Sequence, residues 1–176
     1  SAIVEFGCHI EETNGEIRIT IHSENDAVAR KYFTLWKKTF NIGTDVAKAL
    51  QALKFTGDNA GAGKGADPVL IKSSCCKRAY LRGAFLCIGS MSNPEKGYHL
   101  EFVCETDRQA QQIQEAIHSF DIEAKVVRRK KYDVVYLKEG AGIVDLLNVM
   151  GAHVSLMNLE NLRIEKEMRN SINRQV

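Results

Sequence analysis

Residues 77–89 read KRAYLRGAFLCIG, a strongly apolar segment that contains small residues such as Gly83. Small side chains let two helix backbones approach closely, so this segment is predicted to be a helix that packs against another helix. The N-terminal residues Ser1–Cys8 occupy the same place in an earlier copy of a repeated unit. The sequence therefore predicts a pseudo-twofold pair of crossed helices, Ser1–Cys8 against Arg78–Ile88, at the centre of the molecule.

An internal repeat of strand and helix follows each of these two segments. Apolar residues alternating with period two predict a strand with one face on the core. These residues are Ile17, Ile19 and Ile21 in the first copy and Leu100, Phe102 and Cys104 in the second. Each strand leads into a helical stretch, with Asp26 or Asp107 as the predicted N-cap. Its predicted buried residues are Ala29, Phe33 and Trp36 in the first copy and Ala110, Ile113 and Ile117 in the second.

The second copy continues with a predicted β-hairpin, formed by residues 125–128 and 134–137 around a polar turn at 130–131. A predicted helix over Ile143–Met150 follows and ends at Gly151, because glycine is the usual residue after a helix C-terminus.

The first copy ends in a similar helix but leaves no room for a hairpin between Val46 and Ala49. Either this copy has no hairpin, or residues are missing from the sequence, and we favour the second explanation.

The predicted organisation separates the two copies by a flexible linker, because GDNAGAGKGADP at 57–68 is rich in glycine. Strands and helices in this order predict the α+β class. The predicted segments are a first, incomplete half at 1–60, a linker at 57–74, a second half at 75–157 and a connector helix at 158–176.

Residues 80–90, YLRGAFLCIGS, resemble a degenerate LAGLIDADG helix of the homing-endonuclease fold. The residues that match the motif are Leu81, Gly83, Gly89 and Ser90. Four longer segments resemble the bacterial WhiA family of sporulation and cell-division regulators. They are CCKRAYLRGAFL at 75–86, NPEKGYHLE at 93–101, LLNVMGAHVSL at 146–156 and RIEKEMRNSINR at 163–174.

This resemblance implies a homing-endonuclease-like pseudo-dimer of two αββαββα-type halves in a monomeric chain. Such proteins carry an N-terminal LAGLIDADG-like domain and a C-terminal helix-turn-helix domain, and this sequence ends where the segment leading to the second domain is expected. The sequence departs from the family pattern at its shortened N-terminus and in the missing first hairpin. The implied function is transcription regulation in sporulation or cell division, by a DNA-binding protein of the cytoplasm and nucleoid.

Composition excludes several other classes of protein. Of the 176 residues, 44% are hydrophobic and 26% are charged, which is typical of a globular chain and not of a disordered or collagen-like one. No run of 18 apolar residues predicts a membrane span, and the N-terminus lacks the pattern of a signal peptide. Five cysteines, an odd number, favour reduced thiols in the cytoplasm over a disulfide framework.

A working LAGLIDADG nuclease holds divalent metal with one carboxylate at the foot of each central helix. The corresponding positions here are Gly7 and Ile88, neither of which has an oxygen ligand in its side chain. Glu5, Glu11 and Glu12 are near in sequence but are predicted to point in other directions. The sequence therefore predicts a protein that is not an enzyme and has no catalytic residues.

Other motifs for metals and cofactors are weak, and none is predicted. Cys75 and Cys76 are adjacent, whereas zinc sites separate paired ligands by two or more residues, so buried or half-buried thiols are expected. The five histidines have no spacing suited to a metal site. The run GAGKG at 61–65 lacks the spacing of a phosphate-binding loop and is interpreted as linker.

The predicted hairpin is strongly basic, with a net charge of +5 over residues 125–138. Its predicted DNA-binding residues are Lys125, Arg128, Arg129, Lys130, Lys131 and Lys138. A two-stranded ribbon fits the DNA major groove, and Lys and Arg side chains neutralise phosphates. Two alternatives stay open, namely a solvated hairpin edge protected from aggregation by lysine, and a surface for a protein partner.

Residues 161–175 have helical spacing of Leu162, Ile164, Met168 and Ile172 among basic residues. We interpret this stretch as an amphipathic connector helix that packs on the domain, in preference to a basic helix that follows DNA.

The sequence thus predicts a non-catalytic DNA-binding module whose partner is double-stranded DNA, without a cofactor and without a membrane. The competing hypothesis is a protein-interaction or ligand-sensing domain, with DNA binding confined to a C-terminal helix-turn-helix.

Overall fold

The structure is a computed structural model that describes residues 2–13, 16–21, 26–40 and 65–173. In the first half, a short helix leads into an antiparallel hairpin and a second helix. These elements are α1 (Ala2–Gly7), β1 (Cys8–Thr13), β2 (Glu16–Ile21) and α2 (Asp26–Phe40).

The second half begins with a 3-10 turn at Pro68–Ile71 and contains a four-stranded antiparallel sheet of order β3-β4-β6-β5. Its elements are α3 (Ser74–Ile88), β3 (Gly89–Met91), β4 (Leu100–Cys104), α4 (Asp107–His118), β5 (Lys125–Arg129), β6 (Tyr132–Leu137), α5 (Gly140–Met150) and α6 (His153–Asn173). The predicted hairpin and the helix that follows it are confirmed. The latter begins three residues earlier than predicted and ends at Gly151, whose φ of 73° is left-handed.

The main core lies between one face of this sheet and the helices of the second half. Strand β4 buries Leu100, Phe102 and Cys104 completely, while the residues between them are partly exposed. The predicted alternation is therefore confirmed, because successive side chains of a strand point to opposite faces. The predicted buried residues of α4 (Ala110, Ile113 and Ile117) are also confirmed.

The predicted pair of central helices is confirmed in α1 and α3, which pack directly on each other. A Cβ atom added to Gly83 of α3 would lie 2.8 Å from the Cβ of Ala2. At the other end of the pair, a Cβ on Gly7 would lie 2.9 Å from the Sγ of Cys87. Both glycines are thus required by the close approach of the two backbones.

Two details of the helices differ from the prediction. The N-cap of α4 is Thr106, whose side chain accepts a hydrogen bond from the backbone N–H of Gln109, and Asp107 is the first residue inside the helix. In α2 the buried residues are Val28 and Tyr32, whereas Phe33 is 67% exposed. The predicted burial of Phe33 is wrong because the buried face is rotated by one residue around the helix.

The C-terminal helix α6 begins at His153, five residues before the predicted start of the connector helix at residue 158. Leu156 and Leu159 pack on the main core, which supports the interpretation that this helix packs on the domain. Ile164 and Met168 are exposed, however, so these two residues of the predicted apolar set do not contribute to that packing.

The end of the predicted linker is attached to the second half. Ala66 is buried, and its backbone N–H and C=O both form hydrogen bonds with the side chain of Gln112. The site of the missing hairpin, between Val46 and Ala49, lies outside the described residues. The domain boundaries given above stay predictions.

None of the helices in the described ranges combines the length and the apolar character that a membrane span requires.

Candidate nucleic-acid interface

The hairpin β5–β6 ends in a two-residue turn, because Arg129 pairs with Tyr132 and leaves Lys130 and Lys131 between them. Lys130 has a φ of 55°, whereas Lys131 does not have a positive φ. A positive φ at the first of the two turn residues is the pattern of a type II′ turn, which usually has glycine there. The turn therefore presents two exposed lysines at the tip of the hairpin.

The register of the sheet assigns the predicted cations to two different faces. Arg128 pairs with Asp133, which in turn pairs with the fully buried Cys104, so Arg128 lies on the face covered by the helices. Lys125 pairs with Tyr136 on the opposite, open face. Arg129 and Lys138 share that open face because they are separated from Lys125 and Tyr136 by even numbers of residues.

Arg128 forms an ion pair with Asp133, whose side chain is buried. Its charge therefore compensates an internal carboxylate, and it is the one member of the predicted set that the structure places away from the others. The six predicted cations of the hairpin therefore do not all lie on the same face of the sheet.

Arg129 belongs to a small polar network on the open face. Its guanidinium lies 2.9 Å from Glu101, and the Nε2 of His99 lies 2.8 Å from the same carboxylate oxygen. Partial burial acts to raise the pKa of Glu101, but the hydrogen bond and charge of His99 and the charge of Arg129 outweigh it, so the pKa is lowered. Glu101 consequently stays ionised and holds Arg129 against the sheet.

The remaining cations alternate with aromatic rings along the hairpin. Lys131 lies over the ring of Tyr132 at 5.1 Å, and Lys138 lies over the ring of Tyr136 at 5.2 Å. Lys125 and Lys130 are exposed and have no ion pair with any residue that the structure describes. The tip and the open face thus combine free positive charge with flat apolar surface.

A second feature lies at the foot of the two central helices. Gly7 and Ile88 line one cleft of about 440 Å³, as expected for equivalent positions of two crossed helices. Among residues 2–13, 16–21, 26–40 and 65–173, no three His, Cys, Asp or Glu side chains are grouped so that they could hold a metal ion. Glu5 also lines this cleft, and burial raises its pKa to about 7.

The two adjacent cysteines differ in exposure. Cys75 is exposed, so the prediction that its thiol is buried or half-buried is wrong, whereas Cys76 is half-buried. Both lie in the first turn of α3, where neighbouring side chains point apart.

Two family models match this sequence. The model described as the WhiA N-terminal LAGLIDADG-like domain matches residues 1–52, and the model described as the WhiA LAGLIDADG-like domain matches residues 77–169. The chain belongs to the WhiA family. The family resemblance seen in the sequence is therefore confirmed for both halves.

Curated WhiA relatives extend beyond this chain. It is 50% identical over 206 residues to the probable cell division protein WhiA of Lachnoclostridium phytofermentans, covering 100% of this chain and 65% of that protein. For the protein of the same name from Thermoanaerobacter pseudethanolicus, the identity is 44%, covering 92% and 59%. The chain thus spans less than two thirds of the length of these relatives. The first alignment is longer than the 176 residues of this chain, so that relative has residues without a counterpart here.

Solved WhiA structures establish the fold. Full-length DUF199/WhiA from Thermatoga maritima superposes with a TM-score of 0.73 at 16% identity, over 99% of this chain and 63% of that one. The N-terminal LAGLIDADG domain of DUF199/WhiA gives a TM-score of 0.58 at 19% identity, over 85% of this chain and 78% of that one. The predicted α+β, LAGLIDADG-like fold is confirmed.

The sequence reasoning missed three residues that shape these features. A count of charges treats Asp133 only as a negative charge, and no motif singles out Glu101. Strand alternation could have placed both, since Asp133 lies at an inward position of β6 and Glu101 at an outward position of β4. Glu5 was judged to point away from the helix feet, and no local pattern marks its burial between the halves.

Proposed function

We propose that this chain is a non-catalytic DNA-binding module of a bacterial transcription regulator that acts in sporulation or cell division. The observation that carries the proposal is the row of cations at the tip and on the open face of the second sheet. Its members are Lys125, Arg129, Lys130, Lys131 and Lys138. The name of the relatives, probable cell division protein WhiA, supports the cellular role.

The shape of this surface suits a duplex. A two-stranded ribbon is narrow enough to enter the major groove, where side chains can reach phosphates and base edges. Lysines at the tip and along one face of the hairpin would then meet phosphates, and each neutralised phosphate releases condensed counterions. Tyr132 and Tyr136 support the lysines from below and limit their freedom.

The backbone of the turn gives independent support. Lys130 adopts a left-handed φ where glycine would be unstrained, so the turn is less stable than its sequence could make it. Residues held in such conformations tend to cluster at functional sites. A lysine at this position is therefore in keeping with a contact made by its side chain.

We propose that this chain does not cleave DNA. Gly7 and Ile88 line the shared cleft, and neither side chain carries an oxygen that could bind a metal ion. Supercoiled plasmid incubated with the purified chain in Mg²⁺ or Mn²⁺ is expected to stay intact. Cleavage that disappears in a Glu11→Gln or Glu12→Gln variant would contradict this and reveal another set of ligands.

The DNA-binding proposal is tested by the salt dependence of duplex binding, measured by fluorescence anisotropy at several ionic strengths. Each phosphate contact contributes about 0.9 to the log–log slope. The double variant K130Q/K131Q is expected to bind all duplex sequences more weakly and to flatten the slope by about 2. Arg128→Gln is the matched control, because the structure places Arg128 on the other face, and it should leave the slope unchanged.

A second control is Arg169→Gln, which removes an exposed charge from α6, away from the hairpin. Near-UV circular dichroism of every variant checks that the fold is intact. A slope near zero for the unmodified chain at low salt contradicts the proposal. Equal flattening by Arg128→Gln and by K130Q/K131Q would show that the binding surface is not the open face.

The alternative function, a protein-interaction domain, is favoured by one observation. Helix α6 exposes four apolar side chains along a stripe with spacing of three, seven and four residues, namely Val154, Met157, Ile164 and Met168. A stripe of this kind suits contact with another helix. If the unmodified chain binds DNA only weakly and K130Q/K131Q binds it equally weakly, the result would favour this alternative.

A further inference from the structure

We propose that the exposed apolar stripe of α6 is a docking surface for a basic amphipathic helix of a protein partner. The stripe consists of Val154, Met157, Ile164 and Met168, whose exposed fractions are 51–76%. Because an α-helix rises by about 1.5 Å per residue, the stripe extends over about 21 Å, or about four turns. Docking of this kind gives the stripe a partner of defined chemistry and is independent of DNA binding by the hairpin.

Exposed apolar surface is concentrated on this stripe. In the part of the chain that the structure describes, nine large apolar side chains are exposed, and four of them lie on one face of α6. Single exposed apolar residues are ordinary on a protein surface, whereas apolar side chains grouped on one face indicate an interaction site. Met157 and Met168 add flexible side chains, which adapt to the shape of a partner.

The opposite face of α6 is fixed to the domain. Leu156 and Leu159 pack on the main core. Further along the helix, Lys166 donates a hydrogen bond to the backbone C=O of Pro94 and lies over the ring of Tyr98 at 5.0 Å. A partner would therefore meet a helix that is already held in place, and this lowers the entropic cost of binding.

The two flanks of the stripe are acidic. At about 100° per residue, Glu165 lies about 60° from the centre of the stripe on one side, and Glu160 and Glu167 lie about 80–100° away on the other. Their side chains are 31–69% exposed. Arg163 and Arg169 pair with them at 3.4–3.7 Å and lie further around the helix. Exposed pairs of this kind contribute little stability, so cations of a partner can replace these arginines at small cost.

This charge pattern discriminates between the partners that an apolar stripe can have. A second copy would bring glutamates beside the stripe of one α6 against those of the other, and like charges at such positions are destabilising. An anionic membrane surface would repel the same carboxylates. A helix with apolar residues on one face and Lys or Arg on both flanks would instead meet opposite charge on each side of the stripe.

Two synthetic helical peptides of the length of α6 serve as probes, and their binding is measured by fluorescence anisotropy without DNA. Both carry leucines along one face, with lysines on the flanks of the basic probe and glutamates on those of the acidic probe. The basic probe is expected to bind the unmodified chain saturably, and more weakly as salt increases, because salt screens exposed charges. The acidic probe is expected to bind the stripe more weakly than the basic probe.

The apolar contact is tested by the double variant I164S/M168S. This variant is expected to weaken binding of the basic probe by about tenfold, because it removes two of the four apolar side chains that the probe would cover. Val69→Ser changes an equally exposed apolar residue outside α6 and is the matched control, which should leave the affinity unchanged. Far-UV circular dichroism checks that α6 stays helical.

The charged flanks are tested by E165Q/E167Q, which neutralises one glutamate on each side of the stripe. Affinity for the basic probe is expected to decrease by about threefold and its salt dependence to become weaker, as is usual for exposed charge pairs. E11Q/E115Q neutralises two exposed glutamates outside α6 and should change neither quantity.

The proposal is overturned if the basic probe does not bind saturably, if I164S/M168S binds it as tightly as the unmodified chain, or if the acidic probe binds the stripe equally well. If I164S/M168S does not fold, unchanged affinity and salt dependence in E165Q/E167Q reject the site.

Two further measurements distinguish the other partners. Dimerisation of the unmodified chain in analytical ultracentrifugation, lost in I164S/M168S, would assign the stripe to a second copy and overturn the proposal. Flotation with vesicles of phosphatidylcholine and phosphatidylglycerol, lost in the same variant, would assign it to a membrane and overturn the proposal as well. DNA is absent from all of these measurements, so failure here leaves the DNA-binding proposal to its own test.

Discussion

In the part of the chain that the structure describes, the two halves share one order of elements but differ in how much sheet covers their helices. Each begins with helix, strand, strand and helix, as α1-β1-β2-α2 and as α3-β3-β4-α4. In the second half, strands β5 and β6 extend the sheet to four strands. Among the described residues of the first half, the sheet has two strands, and its buried core consists of Val4 and Tyr32 with partly buried neighbours.

This difference shows what a hairpin adds to a repeated unit. A two-stranded hairpin is marginally stable alone, whereas additional strands create a face that buries complete side chains. In the second half, Phe102 lies between helices and sheet with no exposed surface. Among the described elements of the first half, α1 makes the most extensive contact with the second half, because it packs on α3.

The largest expected effect on stability tests whether the larger core of the second half contributes more to stability than the small core of the first half. Phe102 is fully buried and packs edge-on against Phe85 at 5.7 Å, so Phe102→Ala is expected to lower the free energy of unfolding by about 3–5 kcal/mol. Tyr32→Ala, in the smaller core, should cost about 2 kcal/mol, because its partly exposed neighbours can close around the gap. Urea denaturation followed by circular dichroism measures both. Equal costs would contradict the comparison.

The next effect concerns Glu5, through which the first half contacts the second. Its pKa is raised from 4.5 to about 7 by burial, so ionisation favours the unfolded chain. The resulting penalty is absent below about pH 4.5, grows as the pH rises and is complete above about pH 7. Glu5→Gln is therefore expected to stabilise the protein by about 2–3 kcal/mol at pH 8 and by little at pH 4.5.

Denaturant unfolding of both proteins at the two pH values measures this difference, and titration of the other groups cancels in the comparison. Glu11→Gln serves as an exposed control. A stability gain that is the same at both pH values would mean that Glu5 is not buried at the junction between the halves.

A smaller effect probes the contact between the central helices. Gly83→Val places a branched side chain where even a Cβ would lie 2.8 Å from the Cβ of Ala2, and overpacking of this kind costs about 1–3 kcal/mol. Gly97→Ala is the control, because a Cβ there would meet no atom within 4 Å. Thermal unfolding of the two variants is the measurement. An unchanged midpoint for Gly83→Val would show that α1 is not held against α3.

Local patterns were sufficient to predict much of the second half. The alternation through Leu100, Phe102 and Cys104 defines the inward face of β4, because a strand has only two faces. Gly83 marks the helix contact, because a residue without a side chain in an apolar helix indicates a close approach. The turn at Lys130 and Lys131 could be predicted because two apolar runs flank a short polar segment.

What depends on tertiary contacts could not be predicted in the same way. Apolar residues surround much of helix α2, and only the position of its neighbours decides that Tyr32 is buried and Phe33 is exposed. The pairing of Arg128 with Asp133 requires the register of β5 and β6, which charge counting ignores. Burial of Glu5 depends on elements of the other half, far from it in sequence.

The smallest expected effect concerns the hairpin β5–β6 of the second half. Lys130→Gly removes the strain of a left-handed φ of 55° and is expected to raise the free energy of unfolding by about 0.5–1 kcal/mol. Lys131→Gly removes an equal charge from a residue without a positive φ, so it should give no such gain. If both lysines contact phosphates, each variant should flatten the salt slope of DNA binding by about 0.9. Of the two variants, only Lys130→Gly would then be more stable and also bind DNA more weakly. This result is expected if the strained turn places a lysine for contact with DNA at a cost in stability. A Lys130→Gly variant that is no more stable than Lys131→Gly would remove the conformational support for that view.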